Sequence, residues 1–206
     1  MKETLLEVEQ NIKSRKETDR IMWFSMWAVL SVASFGVAWF PMIYYLIKRR
    51  NAHFARQQKL EELILSRIKA SNPDTVNSEL PKQKNLLFPR NATALTVATI
   101  LIVPAFYVFH FLINDLQKHE EHEHDFLSEI ITLTKDSEVK LNIQGFVTSP
   151  NISTKKFVGL SVVTCGLAAA YWLYLIFNIY NSHFKMQWSI EGELLHFLKE
   201  TDKQAK

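Results

Sequence analysis

The sequence predicts an all-α integral membrane protein with three transmembrane helices, amphipathic helical extensions and an internal duplication. Three observations carry this. Three windows hold no Asp, Glu, Lys or Arg: 27 residues from Ile21 to Ile47, 24 from Asn91 to Asn114 and 28 from Phe157 to Phe184. Each exceeds the roughly 20 apolar residues that a helix needs to cross a hydrocarbon core of about 30 Å. Trp and Tyr crowd the window ends (Trp23, Trp27, Trp39, Tyr44 and Tyr45 on the first, Tyr171, Trp172, Tyr174 and Tyr180 on the third), as such rings do at a membrane interface. Finally, N51-A-H-F-A-R-Q-Q-K-L-E-E-L-I-L65 returns as N181-S-H-F-K-M-Q-W-S-I-E-G-E-L-L195.

In chain order, residues 1–20 read as a polar amphipathic helix with a thin seam at Leu5, Val8 and Ile12. Residues 21–47 are the first span, and residues 48–90 a helix with Phe54, Leu60, Leu63, Ile64 and Ile68 on one side, followed by the loop S71-N-P-D-T-V-N-S78. Residues 91–114 are the second span. Residues 115–156 continue as an acidic, His-rich helix and loop, residues 157–180 form the third span, and residues 181–206 are an amphipathic helix and tail.

Lys and Arg set the expected orientation. Residues 48–90 carry ten of them, whereas residues 115–156 carry five against eight Asp and Glu. This predicts a multi-pass cell-membrane protein with 48–90 cytoplasmic, 115–156 and the N-terminus outside, and the C-terminus inside. The K48-R-R50 cluster reads as an anchor beside anionic headgroups rather than a nucleic-acid site. Pro41 and Pro104 are expected to kink their helices. The lone cysteine, Cys165, excludes an intrachain disulfide and reads as a small buried packing residue.

The repeat is gapless. A shift of 130 positions aligns 30–65 with 160–195 and makes 12 of 36 residues identical, among them Gly36, Asn51, His53, Phe54, Gln57 and Glu61. A fainter third copy lies 66 positions on, where His53 falls on His119, Gln57 on Glu123, Leu60 on Phe126 and Ile64 on Ile130. The three-span topology has the first and third spans running one way and the second running back. The unit is an apolar helix continuing as an amphipathic one with His near the junction, and its apolar stripe needs a protein partner.

The run V163-T-C-G-L-A-A-A-Y-W-L-Y174, followed by Asn181, resembles a small prokaryotic membrane domain of unknown function marked by T-C-G-I-Y, Y-W-x-Y and a later Asn. The Tyr expected after the Gly is replaced by Ala168. The resemblance implies membrane location and no known catalysis.

Candidate chemistry sits in H119-E-E-H-E-H-D125. His119, His122 and Glu123 share a helix face and could hold zinc or copper; His124 extends the cluster. The alternative is a solvated acidic face. His53 and His183 recur at equivalent positions, either as a paired site or as packing residues bonded to Gln57 and Gln187. No phosphate-binding loop, dinucleotide fingerprint or nucleophile–base pairing is present. The expected function is therefore a non-enzymatic structural or accessory subunit whose partners are the lipid bilayer, itself or other membrane subunits, and no nucleic acid. The alternative is a metal-binding or redox-associated membrane component.

Overall fold

A computed structural model describes residues 2–71, 88–134 and 148–204. The described residues form helices and no strand: α1 (Lys2–Thr18), α2 (Phe24–Ala33), α3 (Trp39–Ser71), α4 (Ala92–Ala98), α5 (Ile102–Leu133), α6 (Thr154–Val163) and α7 (Leu167–Gln204). The all-α expectation holds. Each apolar window, however, is broken near its middle into a short helix and the start of a long one.

The first and third breaks have the same chemistry. Phe35 and Gly36 take φ of 50° and 90°, and Cys165 and Gly166 take 49° and 92°. Glycine tolerates this left-handed region because it lacks a Cβ. The amide of Gly36 donates to Ser31 O at 2.7 Å and that of Phe35 to Val32 O at 3.2 Å; Gly166 and Cys165 repeat the pair on Ser161 and Val162. These six-to-one and five-to-two bonds are a Schellman helix stop. Ser34 Oγ then accepts from the amide of Ala38, and Thr164 Oγ1 from that of Ala168, which starts the next helix. The repeated residues at 34, 36 and 38 thus encode a turn. Pro41 and Pro104 do not kink a span: each lies in the first turn of a long helix, where a missing N–H costs nothing.

At each break the chain folds back on itself. Phe157 stacks on Trp172 at 5.3 Å and Trp27 meets Tyr45 at 6.2 Å. The Arg90 guanidinium lies 4.9 Å over the ring of Phe111. Three helical hairpins result, α2–α3, α4–α5 and α6–α7.

The long arms α3, α5 and α7 run in the same direction. One buried cluster gathers their earlier residues, including Ile43, Leu46, Phe109, Leu112, Trp172 and Ile176. A second gathers their later residues, including Leu60, Ile64, Phe126, Ile130, Ile190 and Leu194. His53, His119 and His183 meet between the two, with ring centroids 5.1–5.4 Å apart. The faint third copy is therefore a true third arm in register, parallel to the others. The expectation that the second unit runs back is corrected: α5 runs parallel to α3 and α7, and it is the short helix α4 that runs the other way. α1 lies against the second cluster through Val8 and Ile12, and its Glu9 binds Lys199 at 2.5 Å.

Polar side chains fix the order of the hairpins. Asn181 on α7 accepts from the amide of Met22 and donates to its carbonyl, at 3.2 and 2.7 Å, just ahead of α2. Asn51 on α3 grips Arg90 just ahead of α4 in the same two-bonded way, at 3.0 and 2.7 Å. Gln117, the equivalent residue on α5, donates to Pro150 O at 3.1 Å ahead of α6. Each long arm thus holds the entry of a neighbouring hairpin, and the contacts close a ring.

Several expectations are overturned. Among the described residues no helix is long and apolar enough to cross a membrane, which contradicts the multi-pass localisation. The windows are long enough, but each spends its residues on two antiparallel pieces. The orientation with the N-terminus outside and residues 115–156 opposite 48–90 fails too, because His122 touches Glu61 at 3.1 Å and α1 lies beside the end of α7. Arg49 and Arg50 are buried rather than headgroup anchors: Arg49 donates to Asn181 and Arg50 pairs with Asp115 at 2.8 Å. Cys165 is exposed at a hairpin turn. Asn91 caps α4 by accepting from the amide of Ala94. Residues 72–78 of the expected loop and most of the irregular stretch after 135 lie outside the described residues, and Ser71 ends α3. The amphipathic segments 51–70 and 181–199 are continuous helices with buried stripes, as expected.

Two outcomes follow for stability. Nothing lies within 4 Å of a Cβ built at Gly36 or Gly166, so Gly→Ala there adds backbone strain alone. Each should lower the unfolding free energy by about 1 kcal/mol or more, whereas Phe35→Gly should raise it. Leu60→Asp and Leu194→Asp, at buried sites, should each cost several-fold more than Lys59→Asp, which is exposed. Denaturant unfolding measures both series.

Candidate metal centre

The parallel register brings one histidine from each arm to the bundle axis. His53, His119 and His183 are all buried, and each offers a ring nitrogen within 4.8 Å of the others. His53 Nε2 and His183 Nε2 lie 3.1 Å apart. Zn–N bonds of about 2.0–2.1 Å place neighbouring ligand nitrogens about 3.3 Å apart in a tetrahedral site. Ring rotation, a soft torsion for histidine, closes the remaining distance.

A carboxylate orients one of the rings by a hydrogen bond, and a second carboxylate lies against another. His53 Nδ1 is 2.9 Å from Asp19 Oδ1, and His183 Nδ1 is 3.2 Å from Glu120 Oε1. A carboxylate on the far nitrogen fixes the tautomer and makes the near nitrogen more basic, a usual outer-shell feature of metal-bound histidine. Asp19 also accepts from Arg56 at 2.7 Å and Trp188 Nε1 at 3.2 Å. Glu120 accepts from the amide and hydroxyl of Ser149, at 2.7 and 2.6 Å. Arg56 reaches on to Glu191 at 2.7 Å, and Glu191 accepts from Gln57 at 2.7 Å. His119 stacks on Phe54 at 4.4 Å.

The electrostatics suit a cation. Burial lowers the pKa of His53 to about 4, against the opposing pull of Asp19. Burial, then the neighbouring imidazoles, holds His119 well below its ordinary value. Neutral imidazole is the form that binds metal. Burial alone would raise Asp19, but its bond to His53 and the charges of His53 and Arg56 hold it below the usual carboxylate range. Asp19, Glu120, Glu123 and Glu191 surround the triad with Arg56 among them, while Arg50 is engaged by Asp115.

Glu123 lies one turn below His119. Its Oε2 is buried with no hydrogen bond, and burial raises its pKa to about 7. The space beside Gln57, Glu123 and Gln187 measures about 10 Å³, room for a single water. On the other side, a groove of about 360 Å³ lined by Glu120, Ser149, Ser182 and His183 leads in from the surface.

The sequence-based ligand set is therefore divided. His119 is in the triad, and Glu123 stands in the layer beneath it. His122 points outward to Glu61 at 3.1 Å, and His124 is exposed. The adjacent histidines on one helix are not the centre; the centre takes one residue from each copy. The signal for it was the alignment of 53, 119 and 183, which becomes a contact only if all three arms are parallel.

No protein-family model, no curated protein and no solved structure matches this chain.

The Glu123 carboxyl gives a pH test on chelator-treated protein. Its folded pKa of about 7 lies above the ordinary carboxyl value of 4.5, so the folded state binds the extra proton. Its contribution is fully present below about 4.5 and is lost as pH rises through 7, to a limit of roughly 3 kcal/mol. Glu123→Gln removes this loss, and its amide can donate to Gln187 Oε1, which is buried without a hydrogen bond. The variant should match wild type near pH 5 and exceed it at pH 8 in urea unfolding.

Proposed function

We propose that this chain is a non-catalytic metal-binding protein in which His53, His119 and His183 hold one first-row divalent ion, zinc foremost, and so lock three helical hairpins together. The observation that carries this is the meeting of one buried histidine from each repeat, with two ligand nitrogens 3.1 Å apart. Three imidazoles suit zinc, copper or nickel, and a site without a thiolate disfavours soft cuprous ion. The fourth position falls to Glu123 or to the one water that the layer beneath can hold. The groove beside Glu120 and His183 serves as the ion's way in. This replaces the His119–His122–Glu123 set with a centre shared by all three arms.

Equilibrium dialysis of the purified full chain against zinc should give about one ion per chain, and at a hundredfold excess over Kd the ion should add about 2.7 kcal/mol of stability. The double variant His53→Ala, His183→Ala should lose the ion, and His122→Ala should keep it. Wild-type protein that takes up no zinc, cobalt or nickel, and whose melting temperature does not move with any of them, would overturn the reading.

A further inference from the structure

We propose that the three hairpin turns insert together into a single leaflet of an anionic lipid membrane, entering and leaving on the same side. Because the long arms are parallel and in register, all three turns lie at one end of the bundle. That end is apolar and uncovered. Phe35 is 99% exposed and Val163 80%, with Val32, Ile102, Val103 and Leu167 also largely exposed. No Asp, Glu, Lys or Arg occurs within any of the three windows that form it. An apolar end of this kind marks an interaction surface.

Length, charge and, at the first and third turns, backbone select lipid as the occupant. α2 and α6 have ten residues each, about 15 Å at 1.5 Å per residue, or half of a hydrocarbon core of about 30 Å. At that depth each backbone amide needs a partner within the protein. In the first turn the amides from Ser34 to Phe40 all have one: six bond backbone carbonyls, and Ala38 bonds Ser34 Oγ. The third turn repeats this from Thr164 to Ala170, with Thr164 Oγ1 serving Ala168. Below the tips, exposed Trp23, Tyr45, Tyr107 and Tyr171 form an interfacial band. Exposed Arg20, Lys48, Lys155 and Lys156 stand at the hairpin bases. A groove of about 330 Å³ there is lined by Arg20, Lys48, Trp27, Tyr45 and Met26, with Glu17 at its edge, and offers an anionic headgroup cationic and aromatic contacts.

Vesicle flotation tests this with phosphatidylcholine alone and with roughly one-quarter phosphatidylglycerol added. Wild type should float with the anionic vesicles, on the order of tenfold more than with the neutral ones. The triple variant Phe35→Asp, Ile102→Asp, Val163→Asp changes exposed positions only, so it should keep its helicity and melting behaviour yet stay at the bottom. Lys155→Glu, Lys156→Glu should remove most of the preference for anionic lipid. In a Cys165→Ser background, Lys59→Cys and Lys118→Cys should both react with an impermeant maleimide added outside. Protection of one of them means crossing, and overturns the proposal. So does a wild type that floats with neither vesicle, or a folded tip variant that floats as well as wild type. Tips that instead hold two copies of the chain together, with no vesicle binding, overturn it in favour of self-association.

Discussion

Three parallel helices cut from one chain impose a return journey. After each long arm the chain must travel back to the starting end before the next begins, and helices α4 and α6 complete that journey, as α2 does for the first arm. The reversal rests on a left-handed pair, Phe35–Gly36 or Cys165–Gly166, closed by a Schellman bond pattern. Had the turn been absent, each window would have been one continuous helix of spanning length, and successive helices would have alternated in direction. The histidines could not then have shared a level. The apolar end, the parallel core and the histidine layer all descend from the three turns, two of which share this two-residue backbone conformation.

The layer that results is costly to bury. Asp19, Arg56 and Glu191 form a chain of charge-assisted bonds in the interior, and removing one partner from such a chain typically costs about 3–5 kcal/mol because the other is left desolvated. An apolar layer at this level would serve cohesion as well or better. What the polar layer adds is specificity. Leucines at 53, 119 and 183 would permit an arm to slip by a turn, whereas imidazoles set against Asp19 and Glu120 fit one register. The amide grips at Asn51, Gln117 and Asn181 act in the same sense one half-turn earlier, since the two asparagines must each meet a particular backbone N–H and C=O and Gln117 a particular carbonyl.

Much of this was legible in the sequence. The helical class, the continuous helices after Asn51 and Asn181, and the buried stripe through Leu60, Ile64, Ile190 and Leu194 all follow from periodicity. The turns did not, because twenty-odd apolar residues without a charge read as one span. The countersignal was present as Gly36 with Pro41 five residues on, and Pro104 just past the middle of the second window: a helix stop and helix starts placed where a span should run unbroken. The site was half legible. Recurrence marked His53 and His183, while density of polar residues drew attention to His122 and His124, whose neighbourhood on the helix is solvent and Glu61. Direction of the second arm decided between the two, and direction is a consequence of the turn.

Divergence among the three copies has its own logic in this arrangement. A position on the axis meets its own equivalents, so it must be self-compatible; a position off the axis meets something different in each copy. His53, His119 and His183 meet one another and are identical. Gln57, Glu123 and Gln187 form the next layer, where amides can donate to a carboxylate but three carboxylates would repel, and one of the three has become Glu. Off the axis, Arg49 faces Phe177, Tyr180 and Phe184, and its equivalents Asp115 and Ile179 face other surroundings altogether. α1 supplies the strongest asymmetry, because it covers α3 and brings Asp19 to His53 alone, while Glu120 from α5 serves His183. A copy that gains a private partner is released from resembling the others everywhere except on the axis. That is where the faint third repeat has kept its histidine.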